Sequence, residues 1–254
     1  LNPLAAQPSR TAYLYEVHSA LCDILRPVVG RLVRQGMLSS KEFWGMRCAL
    51  APAGGGSNRH ILDEFKNTDP EVASRDGPSK RCVFEALPDD CFDRVLAAAP
   101  RAMARQSTKC EPGFEQRALY AGDDESTIVG ACASHRLEKA MTVGGMCPLQ
   151  RPQDVLRWWQ SHNNTESNQV WLSTDYSDSN KEHSIEELKL VNYTLAQIWL
   201  EHLNGNPVVL EKAICAPWVG NSFNNRTVRL SDGTQQRALS ALWSGSRDTA
   251  RDNT

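Results

Sequence analysis

Two carboxylates carry the first chemical reading of the chain. A short apolar run at residues 170–174 ends at Asp175, Asp178 follows three residues later, and Asn180 comes next before a helix start. A carboxylate at the end of a buried strand is well placed to hold a divalent cation, and Mg²⁺ or Mn²⁺ takes hard oxygen donors of this kind. Two such ions, about 3.5–4 Å apart, can clamp the attacking and leaving oxygens of a phosphoryl-type transfer. One aspartate after a strand is more often the start of an Asx-turn. The whole string DYSDSNKEH is therefore more specific than Asp175 alone, and Asp178 either joins the metal or caps the turn.

Two more segments have the right chemistry to serve such a site. Lys109, Glu111, Gly113 and Arg117 lie in the stretch STKCEPGFEQRALYAGDD. A lysine and an arginine there could hold a triphosphate, the arginine as a two-pronged fork. Glu111 could orient one of them. The plainer reading is a solvated strand edge with routine charges. Near the far end, SGSRDTARDNT places Ser244 and Gly245 ahead of Thr249 and Asn253. Gly245 has no Cβ to keep a nucleotide away. Thr249 and Asn253 share one face if the residues after 245 are helical. An asparagine offers both a donor and an acceptor to a ribose 2′-hydroxyl, the group that separates RNA from DNA. The alternative is a loop leading into a capped surface helix.

The remaining chemistry-bearing residues form no set. His183 beside the acidic string could donate a proton but reads better as a helix N-terminal residue. The other histidines are scattered. The eight cysteines contain no C-x-x-C pair, which argues for free thiols in a reducing compartment over a disulfide framework or a zinc site. The glycines of residues 51–57 lack the following Lys-Ser/Thr of a phosphate-binding P-loop.

The elements that must position these residues mix helices and strands with no steady alternation, which argues for an α+β fold. Residues 9–35 predict a helix capped by Ser9 and broken or kinked at Pro27. Residues 67–81 read as a polar surface loop. Residues 89–106 read as helical, interrupted at Pro100. Two strands, 116–121 and 127–132, are expected around a tight Gly122-Asp123-Asp124 turn. A short helix is expected at 153–161. Ser184 and Glu187 form a capping box opening a helix with Leu188, Val191, Leu195, Ile198 and Leu203 on one face.

Charge is uneven along the chain. Its net value of −2 excludes a global basic field that would recruit nucleic acid. Residues 1–60 nevertheless carry seven Lys/Arg against three Asp/Glu, and residues 161–210 carry two against seven. A basic region upstream of an acidic one suits a phosphate-plus-metal site. No apolar run approaches the ~18 residues of a membrane span.

Taken together, the three segments resemble part of the viral RNA-dependent RNA polymerases of totivirus-like double-stranded RNA viruses. Lys109-x-Glu111-x-Gly113 with Arg117 is similar to that family's motif F. DYSDSNKEHS is similar to motif A, with Ser179 where the group usually has phenylalanine. SGSRDTARDNT is similar to motif B, and the order F, A, B is the family's own.

The resemblance implies a partial right-hand polymerase fold. Residues 1–165 would be the fingers region, mostly helical, and residues 166–254 a partial palm with an antiparallel sheet flanked by helices. It implies that Asp175 binds the catalytic metal, Mg²⁺ or Mn²⁺, with Asp178 beside it. Asn180, Thr249 and Asn253 would sense the incoming ribose. Lys109, Glu111 and Arg117 would serve the triphosphate, and Ser244 and Gly245 would lie beside the template–nascent pair.

Implied partners are template and nascent RNA, nucleoside triphosphates and the viral capsid protein. The implied location is the host cytoplasm, within a viral particle. Gly122-Asp123-Asp124 matches the triplet that polymerases use as a metal-binding hairpin, but it precedes Asp175, and a plain β-turn is the favoured reading. The family's Gly-Asp-Asp hairpin would follow motif B. The chain starts at Leu1 and stops at Thr254, so it reads as an incomplete fragment, inactive by itself. The alternative is a non-catalytic RNA-binding relic of an integrated viral polymerase.

Overall fold

The computed structural model describes residues 9–51, 80–110, 116–141 and 183–238, with Gln153, Leu156, Trp159 and Gln160; residues 109–110, 116–119 and 139 are described for their backbone alone. In chain order the helices are α1 (Arg10–Gln35), α2 (Ser40–Gly45), α3 (Arg47–Leu50), α4 (Lys80–Ala86) and α5 (Cys91–Ala97). Strands β1 (Ala102–Cys110) and β2 (Gln116–Gly122) follow, then α6 (Asp124–Ala133), α7 (Leu137–Ala140), α8 (Ile185–Glu201) and α9 (Pro207–Ser222). A 3₁₀ turn (Phe223–Asn225) leads into β3 (Arg226–Arg229) and β4 (Gln235–Arg237). The result is a mixed α+β structure, mostly helical, with one small sheet.

Helix α1 starts where Ser9 accepts the Ala12 N–H and ends at Gly36, whose φ of 85° suits glycine. The expected break at Pro27 does not occur, because α1 runs through it. A proline inside a helix costs about 3 kcal/mol. Val28, Val29 and Leu32 lie beyond it and are buried with Cys22 and Leu25. Each fully buried aliphatic side chain returns about 1.5–3 kcal/mol, so the buried stripe outweighs the lost bond.

Helix α8 lies against α1 on one side and α9 on the other. Two surface ion pairs also join α1 to α8, Arg10 with Glu186 and Arg26 with Glu201. Of the predicted face, Leu188, Leu195 and Ile198 are buried. Gly220 lets α9 lie close to α8, since a Cβ there would stand 3.3 Å from the Asn192 Cβ. Asn192 itself is fully buried and donates to the Leu188 carbonyl, so although Asn192-Tyr193-Thr194 matches the N-glycosylation pattern, that asparagine is closed to modification in the fold.

The predicted capping box is present: Ser184 accepts the Glu187 N–H at 3.2 Å, and Glu187 accepts the Ser184 N–H at 2.7 Å. Ser184→Ala is expected to cost about 1 kcal/mol, measurable as a lower midpoint in urea at unchanged slope.

Helix α9 is apolar on most sides because it runs between α8 and α6. It nevertheless carries Lys212, only 1% exposed, whose Nζ lies 3.2 Å from Cys132 Sγ of α6 and 5.6 Å from the Phe43 ring. Cys215, one turn on from Lys212, neighbours Cys132 and is fully buried. The bond from Cys215 and the Lys212 charge bring the Cys132 thiol down to about 7 against the effect of burial, while Cys215 is pushed well up by Cys132 and burial. Cys22, Cys48, Cys82, Cys91, Cys132 and Cys215 form no disulfide with one another.

The sheet has the order β2-β1-β3-β4. β1 pairs antiparallel with β2 and parallel with β3, and β3 pairs antiparallel with β4. Its strands come from both sides of residue 165. Ala102, Ala104 and Val228 form its inner face with Tyr120, Leu230 and Ala238.

Three sequence expectations are corrected. Residues 102–106 are strand, because pairing with β2 and β3 decides a stretch whose own propensity is weak. Residues 127–132 are helix, although Thr127, Ile128 and Val129 favour strands, because Asp123 caps α6 and that helix is buried on nearly every side. Lys80 and Arg81 belong to α4 and not to a surface loop, and Lys80 is buried. The expected strand at 170–174 lies outside the described residues.

Candidate nucleotide-binding site

Among the proposed site residues, the structure places the backbone of Lys109 and Arg117. They are direct cross-strand partners in the β1–β2 hairpin. Residues 109 and 117 belong to different strands, so only the hairpin register brings the two basic positions opposite each other.

Buried polar groups fasten the base of this hairpin. At the end of β2, Asp123 exchanges backbone contacts with β1: its N–H donates to the Met103 carbonyl at 2.8 Å, and its carboxylate accepts the Met103 N–H at 2.6 Å. The same carboxylate caps α6, accepting the Ser126 N–H at 2.7 Å and the Ser126 hydroxyl at 3.0 Å. Burial pushes the Asp123 carboxyl above its usual range, and the bonds from Met103 and Ser126 pull it back.

Lys80 enters from α4. Its Nζ donates to the Gly122 carbonyl at 2.9 Å and to the Thr127 hydroxyl at 3.2 Å, and the Thr127 hydroxyl donates to the Asp123 carbonyl. Burial lowers the Lys80 ammonium, and Asp124 and Asp123 oppose that effect. A lysine, an N-capping aspartate and a threonine thus fix where β2 ends and α6 begins.

This geometry decides between the two readings of Gly122-Asp123-Asp124. A metal-binding hairpin needs carboxylates that open onto a cleft. Here Asp123 is 8% exposed and Asp124 fully buried. The Asp123 oxygens already accept three hydrogen bonds, and a lysine ammonium stands beside the pair. The triplet is neither a metal hairpin nor a plain β-turn: it is a strand end passing into a capped helix.

Glu111, Gly113, Asp175, Asp178, Asn180, Ser244, Gly245, Thr249 and Asn253 lie outside the described residues. His183 is half-buried just ahead of the Ser184 cap. Sequence reasoning missed Lys80, which sits at the end of a polar stretch with no periodicity to mark it. The Asp123-x-x-Ser126 spacing is a readable helix cap that was passed over in favour of the triplet.

A family model described as viral RNA-directed RNA polymerase matches residues 4–254. The chain belongs to that family. No curated protein and no solved structure matches it. Viral RNA-directed RNA polymerases make RNA on an RNA template from nucleoside triphosphates, and divalent metal use is general among them. In this polymerase chain, no group of three or more His, Cys, Asp or Glu among the described residues could hold a metal ion. No described helix is long and apolar enough to cross a membrane.

Proposed function

We propose that this chain supplies the nucleotide-holding fingers and part of the palm of a totivirus-like RNA-dependent RNA polymerase. The reaction is attack of a nascent 3′-hydroxyl on the α-phosphorus of a nucleoside triphosphate. A bond forms to that phosphorus, the bond to the β-phosphate oxygen breaks, and pyrophosphate leaves. The observation that carries the reading is the pairing of positions 109 and 117 on a hairpin rooted by Asp123 and Lys80.

Lys109 and Arg117 hold the triphosphate, with Glu111 orienting one of them. Asn180, Thr249 and Asn253 read the ribose. Ser244 and Gly245 flank the template–nascent pair. Asp175 and Asp178 are the hard oxygen donors that Mg²⁺ or Mn²⁺ takes. When bound, such ions neutralise charge on the phosphates and on the leaving group. The setting proposed for this work is a viral particle in the host cytoplasm, with the capsid protein as neighbour.

The test is binding of a fluorescent GTP analogue to the 254-residue chain, with and without Mg²⁺. Lys109→Ala with Arg117→Ala is expected to weaken binding at least tenfold, since charge-assisted bonds contribute about 1.5–3 kcal/mol each. Asp175→Asn is expected to remove the Mg²⁺ dependence. Unchanged affinity in the Lys109/Arg117 variant would overturn the reading.

A further inference from the structure

Three chemically active side chains meet inside the helical core. Helix α6 contributes Cys132, and α9 contributes Lys212 and Cys215. Lys212 and Cys215 are three residues apart, so they share one face of α9. All three are buried, Lys212 included. The Lys212 Nζ stands 3.2 Å from the Cys132 sulfur. The Cys215 thiol donates to that same sulfur. Nothing in the nucleotide-holding reading uses any of the three.

A buried cysteine is ordinarily inert, because burial favours the neutral thiol and only the thiolate is a nucleophile. Burial does push the Cys48 and Cys91 thiols up. Cys132 goes the other way. The bond from Cys215 and the Lys212 ammonium bring it down to about 7, against burial and the Glu211 carboxylate. About half of the Cys132 side chains are therefore thiolate at neutral pH. Cys215 keeps its proton, pushed well up by Cys132 and burial. A thiolate with a protonated second cysteine in contact is the arrangement found in oxidation-sensitive pairs. Burial here selects the oxidant: a small, uncharged peroxide enters on local opening of the helices, whereas a bulky disulfide does not.

We propose that Cys132 and Cys215 are a redox switch, closed by hydrogen peroxide into a reversible disulfide that ties α6 to α9. In the first step the Cys132 thiolate attacks one peroxide oxygen. A sulfur–oxygen bond forms and the oxygen–oxygen bond breaks. Hydroxide leaves and takes a proton from the Lys212 ammonium, becoming water. In the second step the Cys215 sulfur attacks the sulfenic acid at Cys132. The disulfide bond forms, the sulfur–oxygen bond breaks, and the hydroxyl leaves with the Cys215 proton as a second water. The two sulfurs together give up two electrons, which the peroxide takes. Lys212 also sets how readily the bond reopens. It stabilises the thiolate of the reduced pair and has no anion to face in the disulfide. A disulfide whose reduced form is stabilised in this way is easily reduced. Closure joins the helix that leaves β2 to the helix that leads through the 3₁₀ turn to β3.

The experiment exposes the 254-residue chain to hydrogen peroxide at pH 7, alkylates the remaining thiols in denaturant and identifies crosslinked peptides by mass spectrometry. The expected product is a Cys132–Cys215 crosslink, two hydrogens lighter than the reduced pair. It should form ahead of any other crosslink and reopen with dithiothreitol. Oxidation in concentrated urea should lose that preference. Lys212→Met lowers the thiolate fraction, and the gain in nucleophilicity offsets only part of the loss. It is expected to slow closure at least about threefold and to make the bond harder to reduce. Cys215→Ser should leave a sulfenic acid at Cys132 that dimedone captures. A different cysteine pair closing first, no Cys132–Cys215 crosslink in the parent, or closure as fast in Lys212→Met as in the parent would overturn the proposal. The switch does not depend on the polymerase reading, which the Lys109/Arg117 triphosphate measurement tests separately.

Discussion

Cys132→Ala is expected to lower the unfolding free energy by about 3–5 kcal/mol, far more than the loss of one small side chain. The reason is what it leaves behind. Lys212 is buried, and its Nζ meets the Cys132 sulfur at 3.2 Å. Removing one partner of a buried ion pair strands the other, at about 3–5 kcal/mol.

The reverse change should be mild. In Lys212→Met the thiolate simply takes up a proton, which costs little near pH 7 because Cys132 titrates at about 7. A loss below about 2 kcal/mol is expected there, and the double variant should recover most of what Cys132→Ala loses.

The sign of the pH dependence follows. A thiol whose folded pKa is depressed binds fewer protons folded than unfolded between the two values. Its contribution is present above the ordinary thiol pKa and lost as pH falls through about 7. Stability of the parent should thus climb between about pH 7 and 9, and that climb should flatten in Cys132→Ala. Denaturant titrations at several pH values measure both effects. An unchanged midpoint in Cys132→Ala would rule out the pair.

Asp123→Ala comes next in size, at about 2–4 kcal/mol. Losing the helix cap costs about 1 kcal/mol. Leaving the Met103 N–H without its carboxylate acceptor costs about 1–3 more. For a chain of this size the sum corresponds to roughly 5–15 °C of melting temperature. The loss should be local as well as global. Amide exchange at Met103 and Ser126, which donate to this carboxylate, should accelerate, along with the hairpin carrying Lys109 and Arg117. Asp123→Asn keeps a competent cap and should restore part of the loss. Exchange at Met103 no faster than in the parent would show that the hairpin is held by other means.

How much of this was legible in the residues depends on the kind of signal. Helix ends marked by a side-chain cap were readable: Ser9 opens α1, and the Ser184–Glu187 box opens α8. Both are local rules, satisfied within four residues. The α8 core face was readable because one side meets solvent and the other meets α1 and α9. Helix α6 was not, because burial on every side erases periodicity and leaves β-branched residues to suggest a strand. β1 was missed because its stability comes from partners distant in sequence, and no property of AMARQSTKC announces them.

For the proposed site, the basic positions 109 and 117 were legible as residue types. Their pairing at 109 and 117 needed the register. Lys80 and Lys212 were invisible, since nothing in a linear sequence distinguishes a buried lysine from the many solvated ones.

The parallel pairing of β1 with β3 also bears on the order of events during biosynthesis. β1 emerges from the ribosome long before Arg226–Arg229 does. At roughly 5–20 residues per second, its free edge waits on the order of ten seconds for the strand that covers it. Unpaired strand edges invite pairing with other chains. Arginine at 105 and lysine at 109 put charge along that waiting edge, which discourages nascent chains from joining one another.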